Sequence, residues 1–257
     1  MPFSVDQFLD VFRRYNEAVW PTQWVLVALA LVAVLAAASH RARFRNVPVA
    51  VLVLLWLWIG VVYHALFFRA INPAAIAFAA LFVLQAGLLA WFGLARRRVT
   101  FRAPAGAAGA TGVVLMTYAL LVYPLLGWMI GHRYPAAPTF GLPCPTTIFT
   151  FGLFLWAERP FPRVLLVIPA VWSVIATLAA FEMGMVEDFG LVPAAILAIG
   201  LMSWRRRPVR ARRPARPSTS TSTSTSTSPQ QQHAAISTQL FGGGEPDAVL
   251  PRPRTPH

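Results

Sequence analysis

The feature that most constrains this chain is a recurrence of apolar runs close to the length of a lipid bilayer. A helix rising 1.5 Å per residue needs about 20 residues to cross about 30 Å of hydrocarbon. Seven runs approach that length: 21–38, 47–67, 74–94, 107–131, 146–157, 164–181 and 189–204. Apolar residues continue all round each predicted helix and form no stripe, the pattern of helices facing lipid or fully enclosed by protein. With 57% hydrophobic and 12% charged residues and a mean hydropathy of +0.59, the expected fold class is all-α, a polytopic transmembrane helical bundle of about seven spans.

The ends differ from this body. In segment 1–20, Ser4 and Gln7 fit a capping box, and Val5, Phe8, Leu9, Phe12, Tyr15 and Val19 recur at helical spacing. This predicts an amphipathic helix, placed flat in the membrane interface and ended by Trp20 and Pro21. Charges at Asp6, Asp10, Arg13, Arg14 and Glu17 interrupt any continuous apolar core, so no cleavable signal peptide is expected. Segment 205–257 opens with an arginine cluster and passes into a Ser/Thr repeat at 218–228 and three glutamines at 230–232. It is expected to be a disordered basic tail, because such a composition buries too little apolar surface to fold alone.

The net charge of +13 raises the idea of a nucleic-acid partner. The position of the 22 basic residues, all arginine, answers it. With the N-terminus outside, 18 arginines fall on the cytoplasmic side, and only Arg13, Arg14, Arg69 and Arg133 fall on the other. That asymmetry is the positive-inside pattern of membrane topology, so no nucleic-acid binding is expected. It also favours an odd number of spans, since dropping run 146–157 would put the arginine-rich tail outside. Arg205, Arg206, Arg207 and Arg210, beside the last span, would act as a stop-transfer signal or bind anionic lipid head groups at about 1 kcal/mol each. An arginine-only, alanine-rich vocabulary fits a GC-rich bacterial genome, and the expected location is a bacterial cytoplasmic membrane.

No expected span has Asp, Glu, Lys or Arg near its middle. Proton-coupled pumps and voltage sensors need such a residue at depth, which counts against those classes. Gln85, Tyr118, Ser173 and Thr177 are the intramembrane polar candidates, serving either interhelical hydrogen bonds or a permeation path. Gly127 and Gly131 form a GxxxG pair that would let another helix approach closely. His64, His132, Arg133, Cys144, Glu182 and Asp188 fall on the outer side as a candidate cluster. Imidazole, thiolate and carboxylate are competent metal or haem ligands, but no ligand-spaced motif is present, so no metal, cofactor or catalytic residue is assigned. The single cysteine excludes an internal disulfide.

Run 146–157 is too short to cross alone: a helix of this size covers about 20 Å. The preceding stretch 132–145, rich in proline and glycine, is read as an ordered loop partly sunk among the helices or as a plain turn. At three places, Arg14 to Pro21, Asn72-Pro73-Ala74-Ala75 and Thr139 to Thr146, the chain resembles an uncharacterised family of bacterial polytopic membrane proteins of unknown function. The resemblance implies the bundle but no catalytic residue. Three function classes stay open: a non-enzymatic membrane scaffold or accessory protein, a small-molecule or ion permeation protein, and an outer-face metal or redox protein.

Overall fold

The computed structural model describes residues 2–204, and all of the secondary structure beyond isolated bridges is helical there. Eight helices follow in order: α1 (Val5–Ala18), α2 (Thr22–Ala38), α3 (Ala42–Ala70), α4 (Ala75–Ala95), α5 (Ala107–Met129), α6 (Pro143–Leu155), α7 (Arg163–Met183) and α8 (Val186–Trp204). Five of them, α3, α4, α5, α7 and α8, are long and apolar enough to cross a membrane. A sixth unit qualifies if α1 and α2, bent by 84° at their junction, count as one. The tail, with Arg205, Arg206, Arg207 and Arg210, lies outside the described residues.

The capping box starts α1: Gln7 N–H donates to Ser4 Oγ at 3.2 Å and Ser4 N–H donates to Gln7 Oε1 at 2.9 Å. Val11, Phe12, Tyr15 and Asn16 turn inward. On the outer face, Arg13 meets Asp10 at 2.5 Å and Glu17 at 3.1 Å, while Arg14 meets Asp10 at 2.7 Å. In α2 the inward positions are Leu26, Ala30, Ala33 and Ala37, one helical stripe of mostly small side chains. Its opposite face exposes Val25, Leu31, Val32 and Leu35.

Polar bonds at the helix ends set the direction of each helix. Glu158 N–H donates to Thr100 O at 2.8 Å, Arg102 N–H donates to Trp156 O at 2.8 Å, and Arg159 donates to Met202 O at 2.6 Å. One end therefore gathers the α4–α5 and α6–α7 connections with the end of α8. Arg102 also donates to His40 Nδ1 at 3.1 Å, which brings the α2–α3 connection to the same end. The other end gathers α1, the α3–α4 turn, residues 130–145 and the start of α8. Helices α2 to α8 thus run alternately between the two ends.

The short α6 belongs to this series. Every residue from Pro143 to Leu155 is buried except Cys144. Pro143 and Pro145 sit in its first turn, where a missing N–H costs nothing. Its close neighbour is α5. A Cβ on Gly152 would lie 2.9 Å from Gly112 O, and one on Gly112 would lie 2.9 Å from Gly152 O. Trp156 Nε1 donates across the same contact to Gly109 O at 3.1 Å. The close helix approach expected at Gly127 and Gly131 occurs here instead. A Cβ on Gly127 would face Glu187 Oε1 at 3.3 Å, and Gly131, with φ of +101°, ends its helix in a turn.

Candidate functional site

The side chains with chemistry collect at the α1 end of the bundle. Residues Ile59–Phe67 of α3 wind as a π-helix. Two more such segments, Ala90–Ala95 in α4 and Tyr118–Val122 in α5, occur in the bundle, so the winding by itself marks no site. Here Tyr63 and His64 face the interior together, both buried. Gly60 lets this segment lie against α4, since a Cβ there would come within 3.0 Å of Ala79 O.

A cavity of about 390 Å³ lies beneath α1. Phe8, Phe12, Phe68, Phe78 and Trp172 supply much of its apolar wall, and His64, Asn72, Tyr123, Cys144 and Asp188 supply polar groups. The His64 imidazole is 0% exposed and stands edge-on or tilted to several rings, with centroids 4.9 Å from Phe82, 5.2 Å from Trp172 and 5.7 Å from Phe78. Among the described residues neither of its nitrogens has a hydrogen-bond partner. The Trp172 indole N–H, turned toward the Cys144 sulfur, also lacks a hydrogen bond of good geometry. A buried donor or acceptor left unpaired costs about 1–3 kcal/mol, a cost the His64 imidazole carries here.

Two neighbouring carboxylates lie at this end, Asp188 in the cavity lining and Glu187 outside it. Asp188 accepts a hydrogen bond from the Tyr123 hydroxyl and lies against the Cys144 thiol. Glu187, 0% exposed, has Oε1 2.8 Å from His132 Nδ1, and its backbone carbonyl accepts from Tyr118 at 2.8 Å. Among the described residues the other carboxylate oxygen of Glu187 is buried without a hydrogen-bond partner, so His132 alone holds this side chain.

The loop above is pinned by one residue. Asn16, fully buried, donates to Pro135 O at 2.7 Å and Ala137 O at 2.8 Å, and its Oδ1 accepts from Thr139 at 2.8 Å. Gln23 donates to Asn16 O at 2.8 Å and locks the turn from α1 to α2. Pro138 and residues 140–143 are buried, with Phe140 edge-on to Phe149 at 5.5 Å. Gly141, at φ +98°, passes where a Cβ would strike Leu26 Cδ1 at 2.4 Å. The three stretches that carried the family resemblance therefore meet at this end. Asn16 bonds the 135–139 backbone and side chains, and Asn72 and Cys144 line the same cavity.

The expected outer cluster separates into parts. His64, Cys144 and Asp188 line the cavity, while His132 joins Glu187 outside it. Arg133 is exposed, its guanidinium 5.0 Å over the Trp128 ring, and Glu182 is exposed on the last turn of α7. Among the described residues no three His, Cys, Asp or Glu side chains converge as a metal site would require, which leaves the outer-face metal reading without its ligand set.

The intramembrane polar candidates also serve separate purposes. Gln85 donates to Leu165 O at 2.9 Å, Ser173 donates to Pro169 O at 2.8 Å within its own helix, and Tyr118 bonds Glu187. The Thr177 hydroxyl is buried without a hydrogen-bond partner among the described residues. None of these bonds links one of the four to another. Sequence reasoning missed Tyr123, Trp172 and Glu187 as site residues. Aromatic rings inside apolar runs give no outward sign of their partners, and Glu187 was legible only as one acidic residue among three.

No curated protein and no solved structure matches this chain. A family model does match, over residues 5–213, covering all of the described bundle from α1 onward. The chain belongs to DUF6064, a family of unknown function.

Proposed function

We propose that this chain is a seven-span protein of a bacterial cytoplasmic membrane, a non-enzymatic accessory protein that binds a small molecule at its outer end. The observation that carries the binding role is the cavity beneath α1, whose largely aromatic wall also carries the polar side chains of Asn72, Tyr123, Cys144 and Asp188. Pockets of roughly 300–1,000 Å³ with a few convergent polar groups are the usual form of small-molecule sites. Supporting the embedding are helices of spanning length and apolar side chains exposed on several of them. The alternation of α2 to α8 supports an odd count. In that arrangement α6 is a span enclosed by protein, and its length need not match the lipid because its neighbours, not lipid, cover it. The arginine-rich connections at one end support placing that end, and the tail, in the cytoplasm.

Two measurements test this. A reporter active only outside the cytoplasm should work when fused after Ala70 and stay silent after His257; the reverse pattern would reject the orientation. For binding, protein extracted in mild detergent should show a bound small molecule by native mass spectrometry. Ala176→Trp, which fills the cavity from α7, should abolish it. Equal occupancy in both proteins would locate binding elsewhere.

A further inference from the structure

We infer that the arginine-rich end of the bundle binds a pair of phosphate groups, as carried by the head group of a two-phosphate membrane lipid. This site lies at the end opposite the cavity beneath α1, and two basins adjoin there. One, of about 600 Å³, takes Arg97, Arg98 and Arg159 into its lining. The other, of about 140 Å³, takes Arg41, Arg45 and Arg102. Thr100 and Glu158 belong to both basins and stand between them, the Thr100 hydroxyl donating to Glu158 Oε2 at 2.7 Å. Arginines from three separate parts of the chain thus face a single carboxylate.

The backbone builds this arrangement. Residues 98–102 are anchored to the α6–α7 connection by Glu158 N–H donating to Thr100 O and Arg102 N–H donating to Trp156 O, each at 2.8 Å. Alternate side chains of an extended segment face opposite ways. Val99 and Phe101 are buried while Arg98 and Arg102 are exposed, which sets Arg98, Thr100 and Arg102 in one row across both basins. The left-handed turn at Arg97, with φ of +50°, breaks the alternation, so two consecutive arginines enter the same basin. His40, the other non-glycine residue with a positive φ among the described residues, accepts from Arg102 Nε at 3.1 Å and holds it at the second basin. Backbone in this sparsely populated region costs energy, and such residues cluster where ligands are clamped.

Among the described residues Arg41, Arg45, Arg97, Arg98 and Arg102 form no ion pair with a carboxylate. Nearby Arg43 and Arg96 are instead laid over the Phe44 and Trp91 rings, each at 4.6 Å. A topology signal asks only for positive charge on this side of the membrane; it does not ask separate connections to bring that charge to one wall. The guanidinium fork matches phosphate oxygens bidentately, which makes phosphate the anion these basins suit. In the proposed embedding this end meets the anionic cytoplasmic leaflet, so lipid is the nearest source.

Native mass spectrometry of the full chain in detergent would measure binding of added cardiolipin, phosphatidylglycerol and phosphatidylcholine, with inorganic pyrophosphate as competitor. Cardiolipin, with two phosphates, should bind about tenfold tighter than phosphatidylglycerol, with one, and phosphatidylcholine should bind weakest. Arg98→Gln with Arg45→Gln, one from each basin, should weaken cardiolipin binding about tenfold, while Arg43→Gln with Arg96→Gln, which removes the same charge from the same end, should change it less than about twofold. Glu158→Gln should strengthen it severalfold, because the opposing carboxylate is gone. Equal losses in the two double variants, or no effect of Glu158→Gln, would reject the site in favour of diffuse attraction to a basic surface. Equal affinity for cardiolipin and phosphatidylglycerol would reject the pairing of the basins. Displacement of cardiolipin by pyrophosphate at matching concentration would uphold the site and name soluble phosphates as its source. Failure of every arm would leave the cavity at the other end untouched, since its own test uses Ala176→Trp.

Discussion

His64 is an unpaired polar side chain enclosed by aromatic rings. Its two unpaired nitrogens are a cost to the unliganded fold, and replacing such a group with an apolar one of similar size is often neutral or stabilising. His64→Leu should therefore raise the thermal midpoint, by the equivalent of about 1–2 kcal/mol. A clear loss of stability would mean that the imidazole is satisfied in the native protein. Tyr15 offers a contrast with its hydrogen bond in place, since the Trp58 indole donates to its hydroxyl at 2.8 Å. Burial pushes this hydroxyl up to about 12. Its stabilising share is complete below the unfolded value of about 10 and is lost as the pH rises from about 10 to about 12. Tyr15→Phe should flatten that alkaline limb of a pH–stability curve. An unchanged limb would assign it to the other buried tyrosines.

Among the elements, α6 is where packing overrides length. The α5–α6 contact depends on backbone meeting backbone at Gly112 and Gly152. Gly152→Ala would push a methyl to 2.6 Å from Met116 Cγ and 2.9 Å from Gly112 O, and should cost about 1–3 kcal/mol. Gly87→Ala, in α4 with nothing within 4 Å of the new methyl, should be neutral or slightly stabilising. Unfolding midpoints of the two variants in the same detergent make the comparison, and equal effects would contradict the close crossing. The loop over α6 hangs on Asn16, which holds three points of it. Asn16→Ala should release residues 135–139 and speed maleimide labelling of Cys144 severalfold; an unchanged rate would show that Phe140 and Gly141 suffice to hold the loop.

At the scale of the whole molecule, the outward apolar faces matter most. Large residues such as Leu35, Leu66, Leu121, Leu178 and Phe181 stand exposed on four different helices. Soluble monomers rarely expose so much contiguous apolar surface, and the proposed bilayer would cover it. After alkaline carbonate extraction the chain should remain in the membrane pellet and enter solution only with detergent. Release by carbonate alone would argue for a partner protein as the covering surface.

Much of this architecture was legible in the sequence because hydropathy and capping are local. The runs beginning at 107 and 164 match the starts of α5 and α7 within a residue, Ser4 and Gln7 form the box their spacing predicts, and the break at Trp20-Pro21 is the 84° bend. His64, Cys144 and Asp188 stood out as candidates because their side chains are scarce in apolar surroundings. What tertiary structure alone decided is who meets whom: that α6 is enclosed on all sides, that the crossing glycines are 112 and 152 and not 127 and 131, and that His132 turns to Glu187. The bonds from Asn16 to the loop span sequence separations of 119 to 123 residues. No periodicity within a single run encodes such a pairing. Whether a buried nitrogen finds a partner depends on which atoms the other helices bring to it, so the unpaired state of His64 exists only once the bundle is assembled.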